Sequence, residues 1–241
     1  MPQTQTPTRA GFGLQILTSV VEGISAFFFQ LIPISAIVLY AGHDNIDILI
    51  PLVFASTLAA IAGMTGRYAS ADVNVAITIA RMLAGQINFV LGWVNIAFVL
   101  LFQIFAVALV RMFIPGAAAV FYGMNRLVMP DHPYAAVAVE FLGTLFLILM
   151  ALVVGQHKLP NPIGPIVAGF TLFVTLLFTS PITSGGLNPG RSLACNLIAW
   201  DFTNVGYFLL PQLVASFVAF ALYRVLHYEA ILYTAGQQQK C

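Results

Sequence analysis

The sequence predicts an all-α membrane protein with six transmembrane helices plus two re-entrant half-helices, arranged as an inverted repeat. Three observations predict it. Of 241 residues, 60% are hydrophobic and only 7% charged, whereas soluble domains are nearer half apolar and a quarter charged. The few charges divide the chain into long charge-free stretches. Two short apolar segments, each opening on small or polar residues before an asparagine, recur in corresponding places of the two halves.

Charge-free sequence runs between Glu22 and Asp44, Asp47 and Arg67, Arg81 and Arg111, Glu140 and Lys158, Lys158 and Arg191, and Asp201 and Arg224. Each gap has room for the roughly 20 apolar residues that a spanning helix needs. Spans are expected near 14–41, 48–66, 89–111, 134–155, 161–180 and 205–227. The residues before the first span are polar and do not read as a cleavable signal, and that span is long enough to be retained as an anchor. An even number of spans puts both termini on one side. Termini inside leaves Arg9, Arg67, Lys158, Arg224 and Lys240 in the cytoplasm, together with Arg81. The outer loops then hold Arg111 and Arg126 against Asp44, Asp47, Asp131 and Asp201. The excess of Lys and Arg on cytoplasmic loops makes this the expected orientation.

Residues 70–86 and 183–199 are too short to cross and are expected as re-entrant half-helices. Each half of the chain repeats one order: an acidic span carrying Glu22 or Glu140, a second span, a short loop, a half-helix opening near Asn74 or Asn188, and a third span. Three spans per repeat turn the second copy upside down. Inverted repeats whose broken helices meet at the bilayer midplane are a transport architecture. The chain reads as one transmembrane domain, with repeats over about 14–111 and 134–228.

The chemistry is concentrated in Thr183-Ser184-Gly185-Gly186-Leu187-Asn188-Pro189-Gly190-Arg191-Ser192. Asparagine is a favoured N-cap and proline suits the first helical position. The cap uses the amide oxygen, leaving the amide NH₂ to donate outward. Arg191 adds a fixed fork of donors. A charge this deep in an apolar chain usually faces a wet cavity. Net charge of +1 gives no case for nucleic acid. Cys195 and Cys241 form no disulfide framework or zinc spacing, and His43, His132, His157 and His227 are scattered at span ends. No catalytic pair, metal or cofactor is indicated.

These residues carry a resemblance. Asn188-Pro189-Gly190-Arg191-Ser192 resembles the second Asn-Pro-Ala (NPA) box of the aquaporin, or major intrinsic protein, family. Asn74-Val75-Ala76, followed by Ile77-Thr78, stands where the first box is expected. Glu22, Glu140, Gly169 and Pro211 also match that pattern, and the resemblance covers Leu14 to Tyr228. It implies a multi-pass water channel, with Asn74 and Asn188 as pore asparagines and Glu22 and Glu140 as structural braces. It further implies a homotetramer with one pore per subunit. Its selectivity filter is expected at Phe54, Leu176, Gly185 and Arg191.

The chain also departs from the pattern. Val75 replaces Pro and Gly190 replaces Ala in the re-entrant motif formed with Ala76 and Pro189, and both changes are expected to loosen the midplane joint. Asp72 stands where the family often has His. It reads first as a solvated residue at the pore mouth; the sharper alternative is a gate paired with Arg67 or Arg81. Leu176 and Gly185 match neither strict water channels nor glycerol channels, and Asn196 matches neither. Ser192, Tyr207 and Phe208 lean toward water. Passage of water is therefore the expected function. A broader pore for glycerol, ammonia or hydrogen peroxide stays open beside it. So do a proton-coupled transporter using Glu22 and Glu140, and a non-conducting structural protein of the same fold. The run Phe27-Phe28-Phe29 reads as lipid-facing. The small pairs Ala59/Gly63 and Ala215/Ala219 permit close helix packing, within or between subunits.

Overall fold

The computed structural model describes residues 12–157 and 162–238. Arg9, Lys158, Lys240 and Cys241, which entered the charge and cysteine reading, lie outside them. The described elements are helices α1 (Phe12–Leu39), α2 (Ile46–Thr65), α3 (Val75–Leu83) and α4 (Phe89–Phe113), a 3-10 turn over Ala117–Gly123, then α5 (Pro133–His157), α6 (Ile163–Thr183), α7 (Pro189–Ala199) and α8 (Gly206–Gln238). Six of these helices are long and apolar enough to cross a membrane. The short ones, α3 and α7, fall inside the two stretches expected as half-helices.

Element order is long, long, short, long in each half, and the packing follows it. In the first half α1 lies along α4; in the second α5 lies along α8. Across the halves α2 packs on α6, and each half-helix inserts against the last long helix of the other half, α3 on α8 and α7 on α4. The α2–α6 crossing is close because Gly169 has no side chain: a Cβ there would stand 2.7 Å from the Ala55 carbonyl oxygen and 2.9 Å from the Ala59 Cβ. Ala59 thus packs within the chain. Ala215 and Ala219 are likewise fully buried along α8, where Ser216 donates to the Ala76 carbonyl of α3 at 3.0 Å.

Polarity runs inside out relative to a soluble protein. Glu22, Gln30, Gln103, Glu140 and Gln212 are fully buried, while Phe105, Phe170, Leu210 and Phe217 are more than half exposed. Large apolar side chains on the outside and polar groups within suit a lipid solvent. The Phe27-Phe28-Phe29 run divides between the two. Phe28 faces outward, but Phe29 is buried against Phe54, ring centroids 5.8 Å apart. Successive helical residues diverge by about 100°, so a triplet cannot all face lipid, and Phe29 corrects the expectation.

Helix α6 ends later than the expected 180, whereas α7 ends at Ala199, where the stretch 183–199 was expected to end. α6 runs to Thr183 with Pro181 in its last turn and stops where Ser184 takes a left-handed φ of 61°. α7 stops at Trp200, φ 55°. There Asn196 donates to the Asp201 carbonyl at 2.6 Å, which gives this unmatched asparagine a turn-bracing place. Asp201 accepts from the Thr203 N–H at 2.8 Å, and that bond holds its carboxyl below the usual carboxylate range.

Candidate functional site

Both half-helices begin on a capping asparagine with nearly the same extended backbone, φ −142° at Asn74 and −146° at Asn188. The Asn74 Oδ1 accepts from the Ala76 N–H at 2.9 Å. The Asn188 Oδ1 accepts from the Gly190 and Arg191 N–H groups at 3.0 and 3.4 Å. Their amide nitrogens cross over: Asn74 Nδ2 donates to the Leu187 carbonyl and Asn188 Nδ2 to the Val73 carbonyl, each at 2.8 Å. The amides are therefore not wholly free. One hydrogen of each ties the opposite loop, and an NH₂ group has a second to give.

The loops before the caps are strained in matching places. Ala71 and Val73 in one, Gly185 and Leu187 in the other, all have φ between 47° and 65°. Left-handed φ is uncommon outside glycine and a genuine outlier for a β-branched residue such as Val73. Buried carboxylates hold these turns. Glu22 accepts from the Ala71 and Val73 N–H groups at 2.9 and 3.0 Å. Glu140 accepts from Gly186 and Leu187 N–H at 2.8 and 2.7 Å, from Gln212 Nε2 at 2.8 Å and from Thr183 Oγ1 at 2.5 Å. Charge-assisted bonds of this kind offset both the strain and the desolvation of the carboxylate.

The departures at Val75 and Gly190 prove complementary. A Cβ on Gly190 would collide with Gln103 Oε1 and stand 3.2 Å from Val75 Cγ2. The space a methyl would fill at position 190 is already taken, so the joint is packed and not loosened. Gln103 also donates to the Val73 carbonyl at 3.0 Å. Gly190→Ala is expected to destabilise the protein by about 1 kcal/mol, the low end for overpacking, because the group it meets is the amide end of the flexible Gln103 side chain. Thermal unfolding in detergent checks this. The cost should shrink in a Gln103→Ala background, read as a coupling in a double-mutant cycle.

The four residues expected as a filter come together. Arg191 is 2% exposed, and its Cζ stands 5.2 Å from the centre of the Phe54 ring, within cation–π reach. Its Nη1 donates to Asn125 Oδ1 at 3.1 Å and its Nη2 to the Gly123 carbonyl at 3.4 Å. Leu176 fills the room left by Gly185: a Cβ there would stand 2.5 Å from Leu176 Cδ2, on a backbone with φ of 65°. These four residues line a cavity of about 20 Å³ together with Asn74, Asn188, Phe29 and Leu172. On the Arg67 face a second cavity opens to about 530 Å³. Asp72 lines both, is 3% exposed and pairs with Arg81 at 3.1 Å. That burial overturns the solvated-mouth reading.

Three contributors escaped the sequence reading. Asn125 accepts from Arg191 and from Ser192 Oγ at 2.8 Å, and donates to the Thr183 carbonyl at 3.1 Å. It lies in a loop that carries no motif. Phe29 was hidden in an aromatic run. Gln103 had a usable signal, a lone polar side chain in a charge-free span. Cys195 is fully buried and accepts from Gln30 Nε2 at 3.3 Å, out of reach of an aqueous reagent.

Two asparagine-capped half-helices meeting between six membrane-length helices define an integral membrane protein of the channel type. A family model for Major intrinsic protein matches residues 14–223, and the chain belongs to that family. Aquaporin-1 of Bos taurus is 24% identical over 185 residues, 76% of this chain and 68% of that protein. Probable aquaporin NIP7-1 of Arabidopsis thaliana is 28% identical over 109 residues, 43% of this chain and 40% of that one's length. Probable aquaporin-3 of Gibberella zeae is 31% identical over 166 residues, 65% of this chain and 56% of that protein. In fold, the chain is similar to the aquaglyceroporin from Plasmodium falciparum, with a TM-score of 0.77, 16% identity, and 87% and 95% of the two chains covered.

Proposed function

We propose that the chain is a passive water channel that excludes protons and ions. The observation that carries this reading is the midplane joint: two helix N-termini, capped by Asn74 and Asn188, face the same 20 Å³ cavity. A space of that size holds about one water. Each N-terminus carries roughly half a positive charge. Together they repel cations and turn a water oxygen toward the asparagines. Arg191 adds a full positive charge at the constriction beside Phe54. Diameter, lining donors and such barriers are sufficient for selectivity of this type. Glu22 and Glu140 act as braces in this account, since their oxygens are taken up by loop N–H groups. The chain works as one domain with repeats over 14–111 and 134–228, its termini in the cytoplasm, and as a homotetramer with a pore in each subunit. Osmotic shrinkage of proteoliposomes tests the water reading, run beside a glycerol gradient.

A second reading, passage of other small neutral solutes, is favoured by one observation: Leu176 and Gly185 offer a solute carbon surface and only Arg191 offers donors. The two readings meet at Leu176. Truncating it removes the group that fills the space beside Gly185. Leu176→Ala is expected to raise glycerol permeability about tenfold, equivalent to about 1.4 kcal/mol in the barrier, as read from the re-swelling phase.

A further inference from the structure

The two cavities along the proposed pathway share four lining residues, Leu58, Asp72, Ile77 and Leu147. These form the neck where the wide cavity on the Arg67 face narrows toward the asparagines. Three of them are aliphatic. The fourth is a carboxylate whose side chain is 1% exposed, 3.1 Å from Arg81 Nε. Asp72 also accepts from Thr78 Oγ1 at 3.2 Å. Arg81 is fixed from α5 by the Ala151 carbonyl, which accepts from Nη2 at 3.2 Å. Two other charged groups stand nearby. Glu22 is occupied by the N–H groups of Ala71 and Val73 on either side of Asp72, and Arg67 lines the wide cavity.

We infer that Asp72 and Arg81 form a second selectivity element at this neck, in which each cancels the other's charge so that neither cations nor anions are concentrated there. The inference rests on the channel reading above. Its physical basis is that a narrow, low-dielectric passage lined by one sign of charge gathers counter-ions, with local enrichments on the order of 10 to 1,000-fold. Paired, the neck presents no net charge. With either partner removed, the survivor faces the pathway without its counter-charge.

The test uses the full chain in proteoliposomes, with Arg81→Gln, Asp72→Asn and the double substitution beside the wild type. Osmotic shrinkage, potassium flux and chloride flux are measured on each. Arg81→Gln is expected to raise potassium flux about tenfold over wild type and Asp72→Asn to raise chloride flux by a similar factor, at the low end of such enrichments. The double substitution should return both to the wild-type level, a rescue that a merely structural role would not produce. Should Arg81→Gln fail to reconstitute, the chloride flux of Asp72→Asn decides the matter alone. Wild-type ion fluxes in the reconstituted variants, in a preparation whose wild type shrinks rapidly, overturn the inference. A wild type that shrinks no faster than bare liposomes overturns the channel reading, and this inference with it.

Discussion

Glu140→Gln is expected to be among the most damaging single substitutions in the protein. The carboxylate accepts four hydrogen bonds, from Thr183, Gly186, Leu187 and Gln212, at 2.5 to 2.8 Å. An amide in its place turns an NH₂ toward donors, leaving at least two of them without an acceptor. Bonds to a charged group contribute about 1.5–3 kcal/mol each, so the loss is roughly 3–6 kcal/mol. The damage is also local to the pathway. Leu187, held in left-handed backbone by this carboxylate, supplies the carbonyl that ties Asn74. Thermal unfolding in detergent should show the loss of stability, and reconstituted protein should lose water permeability. Glu22→Gln should cost less, because its two short loop bonds are supplemented by a side-chain bond from Ser70 no shorter than 3.5 Å.

Asn125 gives the second large effect, and it separates stability from selectivity. Asn125→Ala strips the buried Arg191 guanidinium of its Nη1 acceptor and leaves Ser192 and the Thr183 carbonyl without their Asn125 bonds. Removing an acceptor from a charged group should destabilise the protein by about 1.5–3 kcal/mol. Asn125→Asp keeps the acceptor but sets a negative charge against Arg191. Its stability should fall less than that of the alanine variant, since the bonds from Arg191 and Ser192 are kept and only the donation to the Thr183 carbonyl is lost, while the positive barrier at Phe54 is largely cancelled. Proton flux across proteoliposomes is the measurement that distinguishes the two variants: it should rise for the aspartate. An unchanged proton flux in Asn125→Asp would mean that Arg191 is not the outer barrier.

The frame of the molecule was legible because lipid leaves few ways to hide charge. Gaps between Glu22, Asp44, Arg67 and the later charges located all six long helices within a few residues at most ends. Asn74 and Asn188 marked the half-helices, since only a capped helix start explains an asparagine before a short apolar run. The half-helices themselves are shorter than the stretches that announced them. Ala71 and Val73, or Gly185 and Leu187, adopt left-handed backbone that no propensity favours; the buried glutamates impose it. What sequence could not give was fit between distant segments. Gly190 and Val75 looked like two separate weaknesses, and only Gln103 from α4 shows them to be one packed arrangement. Asp72 read as a mouth residue because its partner's reach depends on how α3 lies against α5. Asn125 carried no local signal, since its meaning comes from Arg191 on another element.

The central claim is that water passes this joint while protons do not. Its most direct test is stopped-flow shrinkage of proteoliposomes loaded with a pH-sensitive dye, recorded together under an impermeant osmolyte gradient and an imposed pH step. The account predicts shrinkage well above that of bare liposomes, with proton entry at the bare-liposome rate. Shrinkage at the bare-liposome rate, or proton entry rising with the water flux, would contradict it.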